Sequence, residues 1–231
     1  MVYITGDMHG DPACLRERRL HRLKKGDILL ICGDFGYIWN GGDAEQKWLE
    51  KWGAQRFTVA FIDGVHENFD RLESYPPEDW HGGRARHITG DLWHLLRGEI
   101  YELEGKRFFC MGGGEEPERE MRRAANTWWE REMPTEQEMQ TALANLAAAH
   151  NRVDFILTHE PSAKAGGQLI TRTRELNGVH LFLSTLEDTV TFSHWYFGAL
   201  HLDKAVSRNH TAVFRQVIPV TPPMRHVRKS R

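Results

Sequence analysis

Val2-Tyr3-Ile4-Thr5-Gly6-Asp7-Met8-His9-Gly10 decides the reading of this chain, because an apolar run ends there on a glycine, an aspartate and a histidine. Val2-Tyr3-Ile4 reads as a buried strand. The i, i+2 spacing of Asp7 and His9 puts both side chains on the same side of an extended strand end. The arrangement then recurs four times. Ile28-Leu29-Leu30-Ile31 stands before Gly33-Asp34-Phe35-Gly36, and Val59-Ala60-Phe61-Ile62 before Gly64-Val65-His66-Glu67. Phe155-Ile156-Leu157 stands before Thr158-His159-Glu160-Pro161, and Trp195-Tyr196-Phe197 before Gly198-Ala199-Leu200-His201. Short, nearly continuous apolar runs are buried strands of an α/β core. Side by side, their ends would converge along one sheet edge, where α/β proteins place their sites.

The totals narrow the classes. Apolar runs continue through the 231 residues from residue 2 to about residue 220 without a linker-like break, so residues 1–220 read as one domain. Residues 221–231, with two prolines and four basic residues, have little to bury and are expected to be a disordered basic tail. A formal net charge of -2 gives no global electrostatic case for a nucleic-acid or membrane partner. Cys14, Cys32 and Cys110 stand apart, and the last two follow strand-like residues, which points to free thiols in a reducing compartment. No run is long enough to cross a bilayer, and strand composition at Val2 leaves no room for a signal segment. The expected location is the cytoplasm.

Between the blocks the pattern alternates. Residues 12 to 21 have helix composition, with Asp11 suited to the N-cap and Pro12 to the first position. Residues 44 to 55 place Trp48, Leu49 and Trp52 on one helical face, so the first three strands should pair in parallel through βαβ crossovers. From residue 93 to 111 the runs Leu95-Leu96, Ile100-Tyr101-Glu102-Leu103 and Arg107-Phe108-Phe109-Cys110 are split by Arg97-Gly98 and Glu104-Gly105-Lys106, which are hairpin signals of a second, partly antiparallel sheet. A closing hairpin is expected over residues 205 to 220, around Arg208-Asn209. Residues 112 to 133, rich in Glu and Arg up to the pair Trp128-Trp129, read as a solvated helix face, with a phosphate-meeting lid as the alternative. Pro134-Thr135-Glu136 opens a helix with Leu143 and Leu146 on its apolar side, and residues 163 to 178 read as a loop of small and polar residues.

A lone Asp-x-His is weak evidence, since such triplets usually serve turns. The ordered set of five blocks is specific. Hard or borderline divalent ions need carboxylates and imidazoles held by short loops, and a two-metal phosphoesterase needs a carboxylate bridging ions about 3.5–4 Å apart. On these residues the chain resembles the calcineurin-like metallophosphoesterases, whose signature is Asp-x-His, Gly-Asp, Gly-Asn-His-Glu or Asp, a His after a strand, and Gly-His-x-His. Cys32-Gly33-Asp34-Phe35-Gly36, His66-Glu67-Asn68-Phe69-Asp70 and Glu78-Asp79-Trp80-His81-Gly82-Gly83 are similar to a bacterial branch of unassigned substrate.

The resemblance covers nearly the whole chain and implies an α/β sandwich of two mixed β-sheets flanked by helices. It also implies a first metal held by Asp7, His9, Asp34 and His201, with Asp34 bridging to a second metal held by His159. Two further ligands of that second metal are replaced, an Asn by Val65 and a His by Ala199. Glu160 is the neighbour best suited to repair the loss. Glu67 is expected to be a structural acceptor and His194 to lie too far away. His66 would protonate the leaving group or stabilise phosphoryl charge. The cofactors implied are divalent transition ions (Mn, Fe or Zn), one bound tightly and one at a depleted site.

Three functions follow. The leading one is a metal-dependent phosphoesterase that hydrolyses a phosphomonoester or phosphodiester with metal-activated water, limited by the depleted second site. The alternative is a catalytically weak or dead pseudophosphatase serving as a binding or scaffold protein. A nuclease, with Arg84, Arg86 and Arg97 lining a groove, is a minor reading, because scattered arginines are more often solvated.

Overall fold

A computed structural model describes residues 1–115, 118–167, 169 and 177–220. Its two mixed sheets are packed face to face. The first contains β1 (Val2–Thr5), β2 (Ile28–Cys32), β3 (Thr58–Ile62), β4 (Pro77–Trp80), β5 (Gly83–Thr89) and β6 (Leu92–Leu95), closed by β13 (Ile218–Pro219) in the order β13-β1-β2-β3-β6-β5-β4. The second contains β7 (Ile100–Leu103), β8 (Lys106–Met111), β9 (Phe155–Thr158), β10 (His194–Phe197), β11 (Lys204–Ala205) and β12 (His210–Ala212) in the order β11-β12-β10-β9-β8-β7. The helices are α1 (Asp43–Gly53), α2 (Phe69–Leu72), α3 (Arg119–Ala124), α4 (Glu136–Ala148), α5 (Ala163–Gly167) and α6 (Gly178–Thr189).

The period of two along each strand builds the layers. Ile4, Leu30 and Ala60, adjacent in register, face inward and meet Phe108, Phe155 and Tyr196 of the second sheet in one buried cluster. The intervening Leu29, Ile31, Val59 and Phe61 face outward and pack on Leu49 and Trp52 of α1. Phe109, Ile156, Trp195 and Phe197 face the other way, onto Ala142 and Leu146 of α4 and Leu183 and Leu186 of α6. Each sheet is thus covered on both faces, which is why its strands read as unbroken apolar runs.

β1, β2 and β3 pair in parallel as expected. The five site-bearing strands do not form one row, however: three lie in the first sheet, while β9 and β10 pair in parallel in the second. The loops therefore meet across the gap between two sheets rather than along one edge. Several local readings also shift. Residues 12 to 21 hold 3₁₀ turns at Pro12–Arg16 and Leu20–Arg22 instead of one helix, since the charged run from Arg16 to Arg19 offers no apolar stripe, though Asp11 does cap Ala13 N at 2.9 Å. Leu92–Leu95 belongs to the first sheet, so Arg97-Gly98 is a crossing between sheets and only β7–β8 is the hairpin.

The antiparallel pair β4–β5 carries no strong apolar alternation and was not expected. Leu143 is exposed, and Ala142 takes its place one turn from Leu146. The closing hairpin is β11–β12, after which the chain crosses back to pair β13 with β1. The expected tail at 221–231, Glu116 and most of the loop after Gly167 lie outside the described residues.

One buried ion cluster ties the layers together behind the third block. Asp63, following β3, accepts from Arg97 Nε and Nη2 at 2.8 and 2.6 Å and lies 3.1 Å from His94 Nε2. Arg97 also reaches Glu138 of α4 at 3.3 Å and donates to the carbonyls of Arg131 and Glu132. Burial alone would raise the Asp63 carboxyl, but Arg97 and His94 hold it well below the usual carboxylate range. A depressed folded-state value stabilises the fold fully above the unfolded value of about 3.9 and loses that contribution as pH falls. Asp63→Asn is expected to cost about 3–5 kcal/mol in urea unfolding, because it leaves Arg97 buried without its counter-charge. A loss below about 1 kcal/mol, the range of an exposed pair, would show that Glu138 suffices for Arg97.

Candidate metal centre

Five loops leave the C-terminal ends of β1, β2, β3, β9 and β10 and bring their polar residues into the gap between the sheets. Their backbones are unusual. Asp7, His9, Asp34, Ala199 and His201 have φ of 36°, 50°, 49°, 58° and 50°, in the left-handed region that costs side-chain-bearing residues free energy. Contacts between loops hold them there: His9 N donates to Asp34 O at 2.8 Å and Gly10 N to Phe35 O at 3.0 Å. Gly10 and Gly36 touch backbone to backbone, so a Cβ on either would lie 2.6 Å from the other loop. Glu67, fully buried, accepts from Phe35 N at 2.7 Å and Gly36 N at 3.2 Å, the structural role its position suggested.

Asp34 is the hub. Its Oδ1 accepts from Val65 N and His66 N at 2.7 and 2.9 Å, and its Oδ2 lies 2.7 Å from His66 Nδ1. His9 Nε2 is 3.6 Å from Oδ2, and His159 Nε2 is 3.7 Å from Oδ1. The Nε2 atoms of His9 and His201 converge to 2.8 Å. On the opposite side, Asp7 Oδ1 lies 3.6 Å from His159 Nδ1 and accepts from Ala199 N at 3.2 Å. Among the described residues two groups of ligand atoms result, His9/Asp34/His201 and Asp7/Asp34/His159, each within 4.8 Å and sharing Asp34.

The electrostatics follow from burial. Burial opposes ionisation of Asp34, but His159, His66 and His9 outweigh it and hold the carboxyl well below its ordinary value. An ionised Asp34 accepts only, so His66 Nδ1 carries the proton between them. Burial raises Asp7 to about 7, with His159 pulling the other way, and lowers His9 to about 4. His159 is disfavoured as a cation by burial, yet Asp34 and Asp7 bring it to about 9.

The family model for calcineurin-like phosphoesterases matches residues 1–210. The chain belongs to that family. No curated protein matches it. Among solved structures it is similar to the crystal structure of the protein of unknown function AQ665 from Aquifex aeolicus, at 18% identity over 70% of this chain and 79% of that chain, with a TM-score of 0.34.

Calcineurin-like phosphoesterases depend on divalent metals, and the residues present fit one. Asp7 Oδ2 is buried with no hydrogen-bond partner, an acceptor that folded proteins rarely leave idle. The convergent nitrogens of His9 and His201 and the carboxylates of Asp7 and Asp34 are the donor types a borderline divalent ion takes. Every site residue singled out in the sequence reaches this gap, with Asp7 on the side of His159. The buried Val65 side chain and the Ala199 methyl bring no lone pair.

Glu160 is directed to His180 Nε2 at 3.3 Å. His180 Nδ1 accepts from Asn177 N, so its proton sits on Nε2 and Glu160 is the acceptor. Glu160 is absent from both ligand groups among the described residues. His194 is engaged with Thr211 Oγ1 at 2.8 Å. Arg122 and Glu132, buried against the third loop, were missed, because a Glu/Arg-rich stretch carries no periodic signal to mark one pair as interior.

Gly64 is where the centre is tightest, because a Cβ there would run into Asp34 Oδ1. Gly64→Ala is expected to cost about 1–3 kcal/mol, as overpacking does, and to lower divalent-metal content measured by plasma emission. Full metal content with unchanged thermal stability would mean that Asp34 has room to move.

Proposed function

We propose that the chain is a metal-dependent phosphoesterase that hydrolyses a phosphomonoester or phosphodiester, its rate limited by a depleted second metal position. The observation that carries this reading is one carboxylate, Asp34, shared by two ligand groups and hydrogen-bonded to His66. The resemblance assigns Asp7, His9, Asp34 and His201 to the first ion and Asp34 and His159 to the second. In the structure Asp7 groups with His159 instead, so His9, Asp34 and His201 would hold one ion and Asp7, Asp34 and His159 the other. A divalent ion in such a site, manganese, iron or zinc, supplies Lewis acidity that activates water and screens phosphoryl charge. The protein supplies the rest. The Val65 and His66 amides fix Asp34, and Asp34 orients the His66 ring through Nδ1. With Nδ1–H held by Asp34, the opposite Nε2 would carry a proton for a leaving oxygen, or a donor for a phosphoryl oxygen, when the ring is the imidazolium, and giving that proton up would leave the neutral Nδ1–H tautomer. We place the protein in the cytoplasm.

One observation favours the pseudophosphatase reading: the Val65 and Ala199 side chains offer no ligand atom, and Glu160, the neighbour suited to make up for them, faces His180 Nε2 at 3.3 Å. A nucleic-acid substrate is not favoured. Arg97 is spent on Asp63, while Arg84 and Arg86 donate to the carbonyls of Pro77 and Tyr75.

Hydrolysis of an aryl phosphate with and without added Mn²⁺ tests the reading directly. Val65→Asn combined with Ala199→His is expected to raise the rate by at least about tenfold, since even outer-shell changes at metal sites cost about 10–100-fold. A double variant that folds, binds two ions and gains nothing on any monoester or diester would leave the binding-protein reading in its place.

His66→Ala is expected to slow alkyl phosphates more than aryl phosphates, because proton donation is worth about 10²–10⁴-fold and a phenolate needs little of it. Equal losses on both substrates would assign His66 to phosphoryl positioning alone.

A further inference from the structure

Resting on the phosphoesterase reading, we propose that Arg122 is a positioning residue for the metal centre, clamping the peptide between Val65 and His66 and, through that peptide, the shared carboxylate of Asp34. Arg122 stands in α3, within the stretch whose composition reads as solvated, yet its guanidinium is buried. Nη2 donates to Val65 O at 2.8 Å, to Thr127 O at 2.7 Å and to Glu132 Oε1 at 2.7 Å, and Nη1 donates to Glu132 Oε2 at 3.1 Å. The carbonyl of Val65 belongs to the same planar unit as the His66 amide, and that amide donates to Asp34 Oδ1 at 2.9 Å. One rigid peptide therefore joins a fixed cation on one edge to the hub carboxylate on the other.

The clamp is itself anchored. Glu132 neutralises Arg122 and accepts from Trp129 N at 3.2 Å, while Trp129 Nε1 donates to Asp70 Oδ2 at 2.9 Å, four residues beyond His66. The segment from α3 to Glu132 is thus pinned on both sides of His66, to the third loop at Val65 and to α2 at Asp70. In this chain the pinning carries more weight than a polar residue 65 would require, because an isopropyl group gives position 65 no side-chain hold on the centre. The loop's register against Asp34 then rests on the Val65 and His66 amides and on the His66 ring. Groups that orient ligands without touching the ion are worth about 10–100-fold in metal affinity.

The test is calorimetric titration of the full chain, freed of metal by chelation, with Mn²⁺. Arg122→Gln is expected to weaken binding about 10–100-fold, whereas Arg131→Gln should stay within about twofold of the original chain. Arg131 lies in the same segment and pairs with Glu73 and Glu138 at 2.7 and 3.1 Å, so its loss removes ion pairs of that segment without touching Val65. Equal losses in the two variants, or an Arg122→Gln affinity like that of the original chain, would overturn the proposal.

A second measurement needs no variant. Coupling is reciprocal, so Mn²⁺ should slow hydrogen exchange at the Arg122 and Thr127 amides, which bond to Glu118 O and Arg122 O at 3.0 and 2.9 Å. The amides of α4 should not respond. Exchange in α3 indifferent to Mn²⁺ would overturn the proposal even if Arg122→Gln fails to fold. An original chain that binds no ion would overturn the phosphoesterase reading as well, whereas normal binding with an inert Arg122 would sink only this one.

Discussion

The burial of one carboxylate, Asp34, in the gap between two sheets is the constraint on which the rest depends. An ionised carboxyl there is costly unless every lone pair finds a donor. Two amides of the third loop and the His66 ring meet that demand, with His9 and His159 close by. Those partners come from three other loops, after β1, β3 and β9, so the register of these strands against β2 must be right for the charge to be tolerated. Close approach follows from the same demand. A Cβ at Gly64 would strike Asp34, and one at Gly33 would strike the His159 ring.

Behind the third loop, two arginines from elsewhere in the chain hold what the loop presents to Asp34. Arg97, on the crossing between the sheets, fixes Asp63 at the loop's start, and Arg122 fixes the carbonyl of Val65 two residues later. Both cations are buried, and both are matched by carboxylates: Asp63 and Glu138 for Arg97, Glu132 for Arg122. Breaking such a pair costs far more than forming it gains, so these pairs secure one arrangement of the loop more than they add net stability. The Glu/Arg-rich stretch beyond Gly112 is, at Arg122 and Glu132, part of the interior.

The chemistry is asymmetric. The side of the centre with His9 and His201 is open to solvent, while the side with Asp7 and His159 is sealed and holds an acceptor without a donor. The backbone amides of Val65 and Ala199 serve the carboxylates there, at 2.7 Å to Asp34 and 3.2 Å to Asp7. The amide framework of the loops does not depend on what these two side chains offer.

Apolar runs ending in Gly-Asp, Gly-Val-His or Thr-His made the α/β class, the parallel β1–β2–β3 unit, α1, α4 and the residues that converge on the candidate centre legible, because burial on both faces and polar loop ends each leave a local mark in residue type. The sequence did not hold the division of five site strands between two sheets, since strand pairing is a contact between distant segments. Nor did it hold the β4–β5 hairpin, whose residues lack an apolar alternation, or the change from Leu143 to Ala142 as the buried neighbour of Leu146, which turns on helix rotation. Arg122 and Glu132 were invisible for a related reason: an ion pair is interior or exposed according to what packs around it, and composition is the same either way. The sequence by itself determined which atoms are offered to a metal. Only the tertiary structure decided which of them meet, because that depends on how two sheets stack and which charges must be buried for them to do so.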